Sequence, residues 1–265
     1  MEIINKRIDG GKAFDWGRTS ADYAKYRDIY PEEFYQRIVN RGLCTEGQNV
    51  LDLGTGTGVL PRNMFRFGAK WTGIDLSEEQ IEQAKQMARA ENMQIDFQAA
   101  AAEEIRFADE SFDIVTACQC FWYFDHAKLS PILARILKPE GKLVVLFMAW
   151  LPYEDTIAKA SEDLVLKYNP KWTGYGETKH PIHIRQAVLD YFEPVEHEEY
   201  DLSVPFTRES WHGRMRACRG VGASLNAEEL AGWETEHREL LGTIAPEKFS
   251  IHHYAAIAVL KKRAL

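Results

Sequence analysis

Asn49-Val50-Leu51-Asp52-Leu53-Gly54-Thr55-Gly56-Thr57-Gly58 reads as a short buried strand that runs through an acid into a loop of alternating glycines. Such a loop lets a nucleotide-like ligand lie against bare backbone amides. Val59, Leu60 and Pro61 follow, then a helix-like stretch from Arg62 to Phe67. The pattern is D-x-G-x-G-x-G, whereas the dinucleotide fingerprint G-x-G-x-x-G needs glycine where Val59 stands, which counts against a nicotinamide cofactor. An acid two residues ahead of the first glycine suits a ligand with a cationic end. The bland alternative is a tight strand-to-helix turn with no ligand.

Outward from that loop, Ala69 to Asp75 reads as a second strand ending in an acid, 21 residues past Gly54. That is near the roughly 20 residues expected of a ribose-binding carboxylate. An ionised carboxylate offers acceptors only, so Asp75 suits a pair of ribose hydroxyls. Capping the next helix falls to Ser77, with Glu78 and Glu79 in its first turn. Gln94 to Gln98 and Phe112 to Ala117 read as the third and fourth strands, and Lys142 to Met148 as a fifth. Ahead of the fifth, Pro139 and Gly141 mark a helix end and a tight turn. Alternating strands and helices from Asn49 to Met148 predict an α/β fold with a parallel sheet and right-handed crossovers.

On these residues the chain resembles the class I S-adenosylmethionine (SAM)-dependent methyltransferases of the small-molecule type, including trans-aconitate methyltransferase-like proteins and methyltransferase type 11. Val50 to Gly58 matches the first motif position by position. Ala102-Glu103, Phe107 and Ser111-Phe112-Asp113 match the segment flanking adenine, and Leu137-Lys138-Pro139-Glu140-Gly141 resembles the family's Leu-Lys-Pro-Gly-Gly. The likeness runs from about Tyr23 to Met148. It implies a doubly wound, seven-stranded, mostly parallel Rossmann-like sheet with a helical substrate-covering elaboration. It also implies S-adenosyl-L-methionine as cofactor, which carries an ammonium and a sulfonium and no phosphate. Carried over position by position, the cofactor contacts are Tyr26, Asp52, Gly54, Thr55, Gly56, Gly58, Asp75, Leu76, Ala102, Glu103, Cys118 and Gln119. Tyr23, Tyr26, Arg27, Tyr30 and Pro31 resemble the N-terminal helix and turn that fold over the cofactor, and a plain amphipathic helix has the same residues.

Two departures stand out. Ala101 occupies a position where many members carry an Asp that accepts from the adenine amino group, so adenine rests on backbone near Ala102 and on Glu103, unless Glu103 is simply solvated. Trp122 stands where relatives often have His, which removes the obvious general base. The run Phe121-Trp122-Tyr123-Phe124 ends the fourth strand, where open parallel sheets face their ligand crevice. Its rings either wall the sulfonium, worth about 1 kcal/mol per desolvated cation–π contact, or pack in part into the core. His126, His180, His183 and Tyr123 are the candidate bases, and no residue is assigned a catalytic role.

The expected organisation is a single domain over 1–265: an N-terminal helical lid over 1–48, a SAM-binding core over 49–149, substrate-covering insertions with the sixth strand over 150–249, and the last strand over 250–265. Within the insertions the pattern predicts helices at Glu154–Tyr168, Ile182–Phe192, Arg208–Arg219 and Ala227–Leu241, a Pro/Gly-rich loop at Asn169–Pro181, and a sixth strand at Val195–Val204. Ser250–Lys261 reads as a seventh strand, antiparallel in this fold. Arg208, Arg214, Arg216 and Arg219 surround Trp211 and Met215. They either capture a substrate carboxylate, for which Arg is suited, or form the wet face of a helix whose core stripe is Trp211, Met215 and Cys218.

The chain's 265 residues and 45% hydrophobic content allow a full core, and its net charge of −8 disfavours nucleic acid as partner. Met1 to Lys6 lacks the apolar run of a signal peptide and Leu143–Leu151 is too short to span a bilayer, so a cytoplasmic enzyme acting on a small molecule is expected. Four scattered cysteines fit reduced thiols, Cys118-x-Cys120 is not a zinc spacing, and alternate strand faces separate His252 from His253, so no metal is expected. The reaction expected is methyl transfer to a small acceptor, with a carboxylate as one candidate. A noncatalytic SAM-binding module and an NAD-dependent oxidoreductase on the same sheet are the alternatives.

Overall fold

The computed structural model describes residues 3, 4, 6 and 8–263, without the side chain of Tyr23. Parts of the lid expectation, of the Met1–Lys6 reading and of the 250–265 strand therefore lie outside the described residues.

β1 (Asn49–Leu53) is buried on both faces, with Val50, Leu51 and Leu53 almost fully enclosed, as a central parallel strand must be. Each such aliphatic side chain contributes about 1.5–3 kcal/mol. α3 (Val59–Met64) starts directly after Gly58, and β2 (Lys70–Asp75) pairs parallel with β1. α4 (Glu78–Ala90) is capped by Ser77, whose side chain accepts from the Gln80 amide, and Glu78 and Glu79 lie at its positive end. Ile81, Ala84 and Ala88 recur at helical spacing and pack on Phe97 of β3 (Asp96–Ala99). β4 (Phe112–Cys118) pairs parallel with β1, and α5 (His126–Ile136) leads into β5 (Leu137–Trp150), parallel to β4.

The sheet has seven strands in the order β3-β2-β1-β4-β5-β7-β6, where β6 is Phe192–Thr207 and β7 is Lys248–Lys262. The chain steps outward from β1 to β3 and returns to β4 on β1's other side. That reversal makes a crevice at the carboxyl ends of β1 and β4. The doubly wound, mostly parallel class expected from sequence is the one observed.

Contacts divide the chain into two compact units. One comprises Tyr30–Met148, His180–Tyr200 and Ala255–Leu265 and holds α2 (Glu32–Val39) and β1 to β4 with their helices. Its core gathers Leu51, Leu53, Val115, Leu133, Leu143 and Phe192. The other comprises Met1–Ile29, Ala149–Lys179 and Asp201–Tyr254, and contains the helices α1 (Ser20–Tyr26), α6 (Thr156–Tyr168), α8 (Arg208–Arg216) and α9 (Ala227–Ile244). α8 and α9 each begin with a capping box, Thr207 with Ser210 and Asn226 with Glu229.

Two local expectations need correction. The helix predicted over Ile182–Phe192 shrinks to the four residues of α7 (Gln186–Leu189). Ile182 and Ile184 both pack on the core two residues apart, which is the period of extended chain. Leu137–Gly141 follows the end of α5 at Ile136, as expected, but belongs to β5 rather than to a free turn, because Leu137 already pairs with Phe112 before a register shift.

In the second unit the arginines meet acids. Arg216 pairs with Asp22 and Glu234, and Arg219 with Asp9, whose side chain is fully buried. Asp9 also accepts from the Thr173 amide at 2.7 Å and its hydroxyl at 2.8 Å. Removing one member of a buried pair strands the other's charge at a cost of about 3–5 kcal/mol. Asp9→Asn should therefore lower the unfolding free energy by about 3 kcal/mol in urea denaturation, and a loss below about 0.5 kcal/mol, as for an exposed pair, would contradict this role.

Candidate active site

Three glycines of the loop after β1 adopt left-handed φ, +57° at Gly54, +57° at Gly56 and +73° at Gly58. Two of them are also sterically required. A Cβ on Gly58 would stand 2.6 Å from the Phe97 ring, and one on Gly54 2.8 Å from Cys120 Cβ. A Cβ on Gly56, by contrast, would meet nothing nearer than 3.9 Å. The nearest atom there is Gln80 Oε1, at van der Waals distance only.

Asp75, at the end of β2, holds this loop. Its Oδ2 accepts from the Gly56 amide at 2.8 Å and its Oδ1 from the Ser77 amide at 2.9 Å. A carboxylate has about four acceptor positions, so room remains for a further donor such as a ligand hydroxyl. Burial raises the Asp75 pKa, and the three backbone amides of Ser77, Gly56 and Leu76 act against that rise. Leu76, beside it, is 47% exposed and offers an apolar face.

Asp52 lies beneath the loop, 2% exposed, where its Oδ1 accepts from Thr116 Oγ1 at 2.7 Å. Burial pushes its pKa up to about 7, and the nearby Asp75 charge adds to the rise while the Thr116 and Thr55 hydroxyls oppose it. Thr55 is itself buried, with its amide donating to Ile74 O at 2.8 Å.

At the carboxyl end of β4, Cys118 Sγ donates to the Tyr30 hydroxyl at 3.5 Å. Gln119 takes a left-handed φ of +65°, uncommon for a side chain of its size. Its amide donates to Leu146 O at 3.0 Å and its side-chain amide to Met148 O. A conformation held against its own preference at a strand end is the kind of feature that marks ligand sites. Cys120 turns inward, with its thiol on Leu53 O at 3.0 Å. Burial first, then the Asp52 charge, pushes that thiol's pKa well up. Ala102 is buried at the head of a short turn, and Glu103 Oε1 accepts from the Asp125 amide at 2.8 Å, which ties Glu103 to the start of α5.

Of the twelve carried-over positions, eleven fall in the unit that holds β1 to β4, around the ends of β1, β2 and β4. Tyr26 belongs to the other unit, where its hydroxyl donates to Glu209 at 2.9 Å and its ring covers Gly213. Sequence reasoning missed Thr116, Phe97 and Gly73. A Cβ on Gly73 would strike Phe97 and the Thr55 hydroxyl, each at 2.8 Å. A glycine inside a strand was the available signal for it.

The aromatic run divides as well: Phe121 is buried and Phe124 packs on the core, while Trp122 is 40% exposed. Among the candidate bases, His126 is buried against the Phe121 ring and its pKa is lowered, chiefly by burial. His180 and His183 are exposed, and His180 Nδ1 is 2.9 Å from Pro181 O.

A glycine loop, an acid at the end of β2 and a second acid under the loop suit a ligand with hydroxyls and a cationic end. Sequence relationships point to the same chemistry, that of the SAM-dependent methyltransferases. The family model described as "Methyltransferase domain" matches residues 51–145. The chain is 27% identical over 163 residues to a ubiquinone biosynthesis O-methyltransferase of Nitrosococcus oceani, covering 61% of this chain and 68% of that one. It is 28% identical over 206 residues to the protein of the same description from Coxiella burnetii, covering 72% and 86%. An uncharacterized methyltransferase-like protein of Schizosaccharomyces pombe is 31% identical over 138 residues, and there the match spans about half of each chain, 52% and 51%. In fold, the chain is similar to YcgJ of Bacillus subtilis, with a TM-score of 0.53 at 20% identity over 88% of this chain and 100% of that one. A putative methyltransferase of Bacillus halodurans gives 0.53 at 18% identity over 86% and 98%.

The elevated Asp52 pKa has a measurable sign. A folded-state value near 7 against 3.8 unfolded means the folded chain binds this proton more tightly. The contribution to stability is full below about pH 4 and is lost as pH rises through 7. Asp52→Asn, which keeps an acceptor for Thr116, should therefore gain about 4 kcal/mol relative to the unmodified chain between pH 4 and pH 8. Urea denaturation of both proteins across that range tests this, and a difference that does not change with pH contradicts it.

Proposed function

We propose that the chain transfers the methyl group of S-adenosylmethionine to a hydroxyl oxygen of a small molecule, with the cofactor held by Asp52, Gly54, Thr55, Gly56, Gly58, Asp75, Leu76, Ala102, Glu103, Cys118 and Gln119. S-adenosylmethionine supplies an activated methyl on a sulfonium. The protein's own task is to align the acceptor and keep water out, and proximity and orientation are worth several kcal/mol.

In this reading Asp75 offers its remaining acceptor capacity to hydroxyl donors. Asp52 beneath the loop, once ionised, supplies a negative charge that favours a cationic ligand end. The turn Ala102–Glu104 presents its backbone beside the end of β2, since the Ala100 amide donates to Asp75 O at 2.9 Å.

The observation that carries a hydroxyl over a carboxylate is the engagement of the arginines. Arg216 holds Asp22 and Glu234, Arg219 holds Asp9, and Arg208 donates to Ala245 O. Arg214 is buried, lies over the Trp150 ring and donates to Cys218 Sγ at 3.1 Å. Capturing a substrate carboxylate with Arg216 or Arg219 requires exchanging an existing ion pair. The relatives from Nitrosococcus oceani and Coxiella burnetii are described as O-methyltransferases, which supports oxygen as the atom methylated.

Incubation with methyl-labelled S-adenosylmethionine and an equimolar panel of simple phenols, alcohols and carboxylic acids tests the reading. The expected product keeps its label through mild alkali, as a methyl ether does. Label released as methanol identifies an ester and overturns the hydroxyl assignment.

A further inference from the structure

β4 and β5 run in register with Cys118 opposite Leu146, so Phe147 stands level with Gln119 at the carboxyl end of the sheet. The chain then turns through Phe121–Tyr123, and Trp122 meets Phe147 with ring centroids 5.2 Å apart and planes at 82°. His180 lies beside Phe147 at 5.9 Å and 32°, and Tyr123 beside Trp122 at 5.8 Å and 47°. All four residues belong to the unit that carries the glycine loop.

This exposure is built rather than frayed. The Tyr123 amide donates to Cys120 O at 3.0 Å, and the Asp125 amide to Glu103. Phe121, Cys120 and Phe124 pack on the core on one side of the turn and leave the Trp122 indole facing out. The segment that starts at His180 is fastened to the same core by Ile182, Ile184 and Val188. A fixed aromatic surface pays its ordering cost during folding, so a ligand does not meet it on binding.

We propose that the right-angled corner of Trp122 and Phe147 holds a planar aromatic ring of the methyl acceptor. The proposal rests on the O-methyl transfer reading and names its substrate class. Rings prefer offset-stacked or edge-to-face contacts, and a flat ring placed in this corner makes one of each. A saturated ring of the same outline is at least as hydrophobic but has no π face, so it gains burial alone. The corner lies at the ends of β4 and β5, next to Cys118 and Gln119, which is where an acceptor must stand to reach a ligand of the glycine loop.

The test uses the full chain saturated with S-adenosylhomocysteine, titrated by calorimetry with 2-naphthol and with decahydro-2-naphthol. Both are neutral and differ in aromaticity. The expected result is tighter binding of 2-naphthol by about tenfold, equivalent to about 1.4 kcal/mol. Trp122→Ala and Phe147→Leu should each shrink that ratio while leaving S-adenosylhomocysteine affinity unchanged. Equal affinities, no binding of either naphthol, or a ratio untouched by Trp122→Ala overturns the proposal. Failure of the unmodified chain to bind S-adenosylhomocysteine is a different outcome and overturns the cofactor assignment beneath it.

Discussion

The hydrogen bond from the Gly56 amide to Asp75 is the contact on which the site depends. It joins the loop that ends β1 to the acid that ends β2, and through Ser77 the same carboxylate joins the start of α4. One side chain thereby fixes the path of a glycine loop that has little intrinsic preference of its own. Phe97 of β3 closes the arrangement from below, filling the space that a Cβ on Gly58 or Gly73 would need. The acid, the glycines and one phenylalanine form a mutually dependent set.

The electrostatics follow from the same packing. Two acids lie close together under one loop, and burial raises the pKa of both. Asp52 accepts from the Thr116 hydroxyl, whereas Asp75 accepts from the backbone amides of Gly56 and Ser77. A bound cationic group would favour the ionised form of Asp52 and so repay part of the cost of burying it. The loop is in this sense incomplete as a purely structural element.

Much of this was legible in the sequence because it is local. The motif from Val50 to Gly58, the acid at Asp75 and the Ser77 cap each involve residues close in the chain, and the strand-to-helix alternation fixes the doubly wound class. What was not legible depends on partners brought together by tertiary folding. Arg219 finds Asp9 at a separation of 210 residues, and Cys118 finds Tyr30 at 88. Periodicity over 182–192 allowed a helix, but Ile182 and Ile184 pack as extended chain because the core lies on one side of them. The aromatic run left its split open, since only the packing around Cys120 and Phe124 decides which rings face out. The arginines on and after α8 left carboxylate capture and a wet helix face both open, because the acids they pair with stand elsewhere in the chain.

The central claim, that the Asp75-braced glycine loop binds the nucleoside end of S-adenosylmethionine, is tested most directly by calorimetric titration with S-adenosylhomocysteine, with NADH in parallel and both repeated on Asp75→Ala. The account predicts micromolar affinity for S-adenosylhomocysteine, weakened by at least about tenfold in the variant as its hydroxyl contacts and the loop brace are lost, with NADH much weaker. Preferential binding of NADH, or S-adenosylhomocysteine affinity indifferent to Asp75, would contradict it.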